Sequence, residues 1–414
     1  MGAKAVRMIG FVLLVLFCTA AACANGEIVI GVISPASGNY ADHGAAERRG
    51  MEMAADEINA AGGILGGKKI KLMVEDSETD PAVAARKARR LIEVEGIKFL
   101  MGGVSSSVAA SLSEVAKRYQ VLFIATNQNS DEITGVEYGT RYMFRVCPDM
   151  AMALRALGPY VLKEVGDKWF FLTHDYTWGW SGTKWGREVL KEHGGTEVGE
   201  LKVPLGTRDF SAFLLRARAA KPDAIVITVG GIDRAALIEQ IYEFGIYKEM
   251  TIVYTLYDYE DPWAAGPEKN VGFHGTEWYH YVDAPGVPEF VGRYQQKYRG
   301  ALMPVPTQNT VNGYLALREL AKAIDRAQSL NVPDVIRALE GHVIPEGESL
   351  GPGPAYIQEW DHQFVRPFYI VRSKKPEEMK DRTDLFEVVG WELGPNIIRS
   401  REENPVQLEK LPDE

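Results

Sequence analysis

The chain has 414 residues, of which 46% are apolar and 25% are charged, and its formal net charge is −10. A chain of this length and composition is globular and can bury two hydrophobic cores. Its acidity argues against nucleic acid or an anionic membrane as the main partner.

The first 24 residues have the pattern of a secretory signal peptide. Lys4 and Arg7 provide a basic start, and residues 9–17 form an apolar segment that is too short to span a bilayer. Small residues precede a cleavage point after Ala24. We therefore expect a mature protein that starts at Asn25 and is exported from the cytoplasm.

Lipid attachment is the alternative fate of this leader. A lipoprotein would be anchored through Cys23, but Ala20 stands three residues earlier, where a lipobox prefers leucine. If cleavage removes the leader, Cys147 is the only cysteine left, which excludes an internal disulfide.

One order of strands and helices occurs twice in the chain. Each copy reads as strand, helix, strand, helix and a further strand: residues 28–33, 45–61, 69–75, 81–95 and 99–102, then 169–173, 181–192, 197–203, 210–219 and 224–229. Strands that alternate with helices of this length predict parallel sheets. Two such sheets leave a cleft between two lobes, and clefts bind ligands.

The remaining third of the chain follows a different order. It predicts helices over residues 289–298, 308–327 and 332–340, followed by strands over 363–371 and 385–391. Beyond Gly394 the sequence is polar, and we expect that segment to lie extended over the surface.

Six segments, in this order, carry a family resemblance: residues 30–38, 50–63, 75–81, 102–107, 174–179 and 209–213. Together they resemble the periplasmic solute-binding proteins of the branched-chain amino acid (Leu/Ile/Val-binding) class, which serve ABC transporters. The resemblance covers nearly all of the mature chain. Each segment alone is a weak signal, and their shared order is what makes the resemblance specific.

The resemblance implies the type I periplasmic-binding fold, an α/β architecture of two Rossmann-like lobes joined by a hinge of three crossings. Lobe one would comprise residues 27–147 and 276–352, and lobe two residues 148–275 and 353–391. Residues 392–414 would form the tail. The implied protein is a monomer without enzymatic activity that closes on a small solute and docks on a membrane permease.

A run of serines after the strand at residues 99–102 is the clearest candidate site. Ser105, Ser106 and Ser107 begin a helix, where unpaired N–H groups and a partial positive charge attract carboxylates. In the resembling family, positions that align with Ser106 and Asn129 grip an amino acid. The alternative is that the serines only cap the helix.

The same serine run does not fit a hydrolase. It lacks the second glycine of a Gly-x-Ser-x-Gly nucleophile elbow, and no histidine and aspartate partners follow it.

Two amides follow the next predicted strand. Asn127 and Asn129 stand at its carboxyl end, which faces the crevice in open α/β sheets. They could instead be turn formers. The family commonly has Thr or Ala here, so the amides suggest an altered pattern of hydrogen bonds.

Aromatic candidates come from both lobes. The family places an aromatic at the position of Trp178, with Tyr176 and Trp180 close by, and such rings cover apolar ligand area with few rotamers to freeze. His43 lies in a predicted loop where relatives carry an aromatic. An exposed loop histidine is the alternative reading of His43.

Acidic candidates follow two strands of the second lobe. Asp233 is either a helix N-cap or a partner for a ligand ammonium. Relatives carry an acidic ammonium partner near Tyr257 and Asp258, and the resemblance is too loose there to choose between the two.

These features predict an importer component that binds an amino acid, branched-chain or related. The alternatives are an aromatic or short-chain carboxylate, an amide or urea, and a sensor that reports the ligand to a signalling receptor. No cofactor is expected, and the scattered histidines predict no metal site.

Overall fold

A computed structural model of the chain describes residues 26–353 and 355–414. The predicted leader and Cys23 lie outside the described residues. Among the helices in the described ranges, none combines the length and apolarity that a membrane span requires.

The described chain forms helices and strands in alternation. The helices are α1 Ala41–Ala60, α2 Pro81–Glu95, α3 Ser106–Tyr119, α4 Met150–Glu164, α5 Thr177–His193, α6 Ser211–Ala219, α7 Ile232–Glu243, α8 Glu260–Ala265, α9 Val287–Lys297, α10 Gln308–Ala327, α11 Val332–Leu339 and α12 Gly394–Ile397. The strands are β1 Glu27–Ser34, β2 Lys69–Asp76, β3 Phe99–Gly102, β4 Leu122–Ala125, β5 Met143–Arg145, β6 Lys168–His174, β7 Thr196–Val203, β8 Ala224–Thr228, β9 Thr251–Tyr254, β10 Phe273–Thr276, β11 Val343–Ile344, β12 Ala355–Ile357, β13 Phe364–Val365, β14 Phe368–Ser373 and β15 Phe386–Glu392.

Two sheets share one topology, as the repeated order of elements predicts. The first runs β2-β1-β3-β4-β5, and the second contains β7-β6-β8-β9-β10, with parallel pairing throughout both runs. The chain order reverses beside β1 in the first sheet and beside β6 in the second. Such switch points open a crevice beyond the carboxyl ends of the strands.

Local sequence signals explain where the helices begin and end. In α2, the Asp80 side chain accepts hydrogen bonds from the N–H groups of Ala82 and Val83 at 2.8 and 2.9 Å, and Pro81 occupies the first turn. Gly96 ends this helix in the left-handed conformation, with φ of 68°. The central strands β3, β4 and β8 are buried and, apart from Thr228, apolar because helices cover both faces of the sheet.

The structure differs from the predicted elements in the last third. The single strand expected over residues 363–371 is interrupted at Arg366-Pro367, which separates β13 from β14 and places them in different sheets. The strands β14 and β15 extend the second sheet in antiparallel fashion, and β11-β12-β13 form a small third sheet. The periodicity of apolar residues does not show where a strand is interrupted or in which direction it pairs.

Helix α1 starts four residues earlier than predicted. Its first turn is closed by a bond from the N–H of Gly44 to the carbonyl of Tyr40 at 2.9 Å, and Asp42 favours the positive end of the helix. His43 therefore lies on a helix and is buried, which excludes the reading of an exposed loop histidine.

The chain passes between the two sheets at the segments after β5, β10 and β13, so the first lobe also carries α9, α10 and α11. Arg145 braces the first of these hinge crossings. Its fully buried guanidinium donates to Gln363 Oε1 at 2.7 Å and to Thr134 Oγ1 at 2.9 Å, and it pairs with Asp149 at 3.3 Å. Asp149 in turn caps α4 through the N–H of Met152 at 2.8 Å.

The C-terminal residues are packed more firmly than the polar sequence predicts. After β15 the chain forms α12, and Leu411 is buried in the core of the first lobe. The segment therefore does not simply lie extended on the surface.

Helices α1 and α10 pack at a pair of glycines. A Cβ on Gly50 would meet the carbonyl oxygen of Thr310 at 1.9 Å, and a Cβ on Gly313 would meet that of Glu47 at 2.2 Å. Contacts this short leave no room for a methyl group, so the two backbones approach closely because both positions are glycine.

We expect Gly50→Ala to lower the free energy of unfolding by about 1–3 kcal/mol, because backbone on both helices must shift to admit the methyl group. Gly292→Ala in α9 is the matched control, since its Cβ would meet nothing within 4 Å. The control should be neutral or slightly stabilising. Equal unfolding curves for both variants in urea would contradict the close approach.

Candidate functional site

The candidate site is a cavity of about 20 Å³ beyond the carboxyl ends of both parallel sheets. The first lobe lines it through the segments after β1, β3 and β4 and the start of α10, and the second lobe through the segments after β6 and β9. The lining residues are Tyr40, His43, Val104, Ser106, Asn127, Asn129, Asn309, Tyr176, Trp178, Leu256 and Asp258. So small a volume holds little more than a water molecule, and a solute must enter while the lobes are apart.

The serine run reaches this cavity through Ser106. Ser105 precedes α3, but its side chain makes no capping bond and instead lies 3.0 Å from Ser107 Oγ. The Oγ of Ser106 accepts a bond from the N–H of Ser130 at 3.3 Å. The first amides of α3 are thus not capped by Ser105, which favours ligand contact over the capping alternative.

The loop between β3 and α3 has a strained backbone. Gly102 and Gly103 have φ of 108° and 114°, and Val104 has φ of 53° although it is β-branched. A Cβ on Gly102 would meet the carbonyl oxygen of Ile33 at 2.5 Å. A left-handed valine costs on the order of 1–3 kcal/mol, and such strain is concentrated at functional sites.

Asn127 is held from two sides within the first lobe. Its Nδ2 donates to Glu47 Oε2 at 3.0 Å, and its Oδ1 accepts from Asn312 Nδ2 at 2.9 Å. Burial raises the pKa of Glu47, although bonds from neighbouring groups oppose that shift. Asn127 is therefore oriented by its partners and is more than a turn former.

Asn129 connects the cavity with the hinge. Its Nδ2 donates to the carbonyl of Pro148 at 2.7 Å and to Glu277 Oε1 at 2.9 Å, and both partners belong to hinge crossings. Burial raises the pKa of Glu277 to about 7. Because the donor group is engaged, Asn129 offers the cavity its acceptor oxygen.

Aromatic side chains form the opposite wall. Trp178 lies in the first turn of α5, where its indole N–H points to Met150 Sδ at 3.2 Å, and Tyr176 precedes the helix. Trp180 is 46% exposed and donates to Asp175 at 2.9 Å, so it lies outside the cavity.

The two lobes also bond directly to each other beside the cavity. The hydroxyls of Tyr40 and Tyr176 are 2.7 Å apart. The side-chain amide of Asn39 donates to the carbonyl of Gly230 at 3.1 Å, and the backbone carbonyl of Asn39 accepts from the N–H of Ile232 at 3.2 Å. These bonds join the lobes without using any group of a solute.

Asp258 is held by groups from both lobes. Its Oδ1 accepts from Gln308 at 2.7 Å and Asn309 at 3.2 Å, and its Oδ2 accepts from Arg234 at 3.1 Å. Burial opposes ionisation, but His43 and Arg234 hold the pKa of Asp258 below its usual range.

His43 pairs across the cleft with Asp261, at 2.9 Å between Nε2 and Oδ1. Burial alone would lower the pKa of His43, but Asp261, Asp258 and Glu260 outweigh it and raise the pKa to about 10. The imidazole is therefore a cation at neutral pH.

The balance of charge in this part of the site depends on whether Glu260 is ionised. Asp258, Glu260 and Asp261 face two cations, His43 and Arg234, and all five are buried. Burial raises the pKa of Glu260 to about 7 despite the nearby charge of His43. Glu260 is therefore only partly ionised near neutral pH, and a cationic group of a ligand would favour its ionised form.

Four predicted site residues do not line the cavity: Ser105 and Ser107, whose hydroxyls contact each other, and Asp233 and Tyr257. Asp233 is not the N-cap of α7. It is buried beside His174 at 3.2 Å and accepts from the N–H of Gly206 at 2.7 Å, so it ties down the loop after β7. Tyr257 is buried among aromatic rings and bonds to Asn270, because its side chain points into the core beneath the sheet edge.

Four cavity residues were not predicted from the sequence: Tyr40, Val104, Leu256 and Asn309. The polar start of the otherwise apolar helix α10, Gln308-Asn309-Thr310, was a usable signal for Asn309. The others follow strands that were predicted correctly, but only the folded loop decides which side chains face inward.

One set of side chains could in principle hold a metal. Ligand atoms of His43, Asp258 and Glu260 lie within 4.8 Å of one another. Glu260 accepts from Thr307 at 2.5 Å and from Asn309 at 3.2 Å, and the oxygens of Asp258 are likewise engaged. These carboxylates are already satisfied as hydrogen-bond acceptors and are not arranged as free ligands.

Comparison with known proteins identifies the family. Residues 27–378 match the model of a family described as periplasmic binding protein. The match spans most of the chain, so the protein belongs to the periplasmic binding protein family.

Individual relatives agree with this assignment. The chain is 27% identical over 349 residues to a Leu/Ile/Val-binding protein homolog of Brucella suis, covering 80% of this chain and 84% of the relative. A periplasmic binding protein from Burkholderia mallei superposes with a TM-score of 0.83 at 29% identity, over 91% of this chain and 98% of that one. A branched-chain amino acid ABC transporter ligand-binding protein from Burkholderia xenovorans gives 0.79 at 25% identity, over 92% and 99%.

The predicted class is thereby confirmed. The chain has the type I periplasmic-binding fold and is an extracytoplasmic solute-binding component of an ABC importer. It binds its solute and does not transform it, and its partners are a small molecule and a membrane permease.

The raised pKa of Glu260 predicts a pH-dependent stability. A carboxyl whose pKa rises from 4.5 to about 7 on folding binds its proton more tightly in the folded state. The stabilisation is complete below the unfolded pKa and is lost as the pH rises through about 7, by up to about 3 kcal/mol. We expect Glu260→Gln to lose less stability than wild type between pH 5 and pH 8 in urea unfolding.

Glu188→Gln, at an exposed position of α5, is the control and should follow the wild-type curve. Glu277 titrates in the same range in all three proteins, so the comparison is between curves. A Glu260→Gln curve parallel to wild type would show that Glu260 is ionised normally.

Proposed function

We propose that the solute is an α-amino acid whose two charged groups are held by different lobes. The start of α3, with Ser106, would receive the carboxylate, because helix N-termini present free N–H groups and a partial positive charge. Asp258 would receive the ammonium group, with Asn129 Oδ1 as a second acceptor. The observation that carries the proposal is that Asp258, whose pKa is held below its usual range, lines the same cavity as the start of this helix.

An apolar side chain suits the rest of the wall. Val104, Leu256 and Trp178 are buried and line the cavity with the rings of Tyr40 and Tyr176. We therefore propose an aliphatic or other apolar amino acid, which agrees with the name of the Brucella suis relative.

The proposed mechanism is closure of the lobes around the solute. Because Ser106 belongs to the first lobe and Asp258 and Trp178 to the second, a solute that contacts all three stabilises the closed form. We also propose that residues 1–24 are removed after export and that the mature protein works as a monomer.

Asp258→Asn tests the ammonium partner. We expect it to weaken the binding of the amino acid by about 2–5 kcal/mol, because a buried cation loses its charged partner. Mass spectrometry of solute retained through purification would name the ligand, and titration calorimetry against the standard amino acids would measure the loss.

Asp233→Asn is the matched control, since this buried carboxylate of the same lobe lies outside the cavity and should leave the affinity unchanged. If the solute is instead an aromatic or short-chain acid without an amine, Asp258→Asn should leave its binding unchanged or improve it. Binding of benzoate, with no heat from any amino acid, would overturn the amino acid proposal.

Ser106→Ala tests the carboxylate grip. Loss of one hydroxyl donor to a charged acceptor should weaken binding by about 1–3 kcal/mol in the same titration. Ser111→Ala, on the same helix but bonded to the carbonyls of Pro81 and Val108, is the control. Equal affinities for both variants would remove Ser106 from the site.

A further inference from the structure

The C-terminal strap, residues 394–414, begins on the second lobe. It follows β15 of the second sheet, and its helix α12 packs against α4 with Ile397 buried. Arg155 of α4 donates to the carbonyl of Ile398 at 2.8 Å and pairs with Glu403. The first part of the strap is therefore attached to the second lobe.

The strap then passes the first hinge crossing. Arg399 is buried and pairs with Asp149 Oδ2 at 2.7 Å, the same carboxylate that Arg145 of β5 contacts. Its guanidinium also donates to the carbonyl of Asp131, in the first lobe, at 3.2 Å. One arginine of the strap thus joins the cap of α4 to the opposite lobe.

The end of the strap is docked on the first lobe. Asn404 donates to the carbonyl of Thr134 at 3.0 Å and to Asp361 at 3.2 Å. Glu409 accepts from the N–H of Arg141 at 3.1 Å. The side chain of Leu411 is only 2% exposed and packs in the core of the first lobe. Arg337 of α11 holds the last residues through Asp413.

We propose that the strap is a fourth connection between the lobes and restrains their opening. Opening turns the lobes about the hinge crossings, so a segment attached on both sides must stretch or detach. A bond that the strap makes in the closed form and loses in the open form stabilises the closed form by the free energy of that bond. The match to the family model ends at residue 378, so the strap lies beyond the part of the chain that the model describes.

Spin labels on the two lobes test the restraint without any solute. Glu114 of α3 and Lys191 of α5 are exposed and suit cysteine replacement, and Cys147 is buried. We expect deletion of residues 404–414 to shift the inter-lobe distance distribution of the solute-free protein toward longer distances in double electron–electron resonance. A distribution identical to that of the full chain would overturn the proposal.

Leu411→Ala provides a second test if the deletion prevents folding. It removes the apolar anchor of the strap, whereas Lys410→Ala changes an exposed neighbour and should match wild type. A longer distance distribution in Leu411→Ala alone supports the restraint. Lower thermal stability with unchanged distances would mean that the strap only stabilises the first lobe, and it would overturn the proposal.

Discussion

A guanidinium without solvent contact must find all its partners inside the protein, and the binding cleft is organised around such a group. Arg234 donates to the carbonyls of Val229 and Leu256, which joins the ends of β8 and β9, and it pairs with Asp258 and Asp261. Arg234 thereby helps to hold the pKa of Asp258 below its usual range, and it fixes both carboxylates in position. Asp261 then holds His43 as a cation, so one buried arginine determines both the charge and the closed contacts of the cleft.

Much of the fold is predictable because its signals are local. The repeated alternation of apolar strands and capped helices specifies two parallel sheets, and the caps of α2 agree with the predicted boundaries. The pairing of β14 and β15 with the second sheet depends on contacts between residues far apart in sequence. Only the family resemblance predicted that the chain crosses from one lobe to the other three times.

The sequence predicts which loops form the site, but it does not predict which side chains of those loops face the cavity. Ser106, Asn127, Asn129, Tyr176, Trp178, His43 and Asp258 line one cavity, as residues at the carboxyl ends of parallel strands should. Tyr257 and Asp258 are adjacent, yet one enters the core and the other the cavity. Which of the two side chains faces the cavity depends on the backbone conformation of the turn after β9, and the spacing of residues in the sequence does not reveal that conformation.

The direct bonds between the lobes impose a compromise on transport. Tyr40, Asn39 and His43 contact the second lobe directly, so part of the free energy of closure is independent of what the cleft contains. Strong bonds of this kind retain a captured solute for longer and slow its release. They also populate a closed form that carries no cargo, and that form would occupy the permease unproductively. The strength of these contacts would therefore set the ratio of productive to futile docking as well as the affinity.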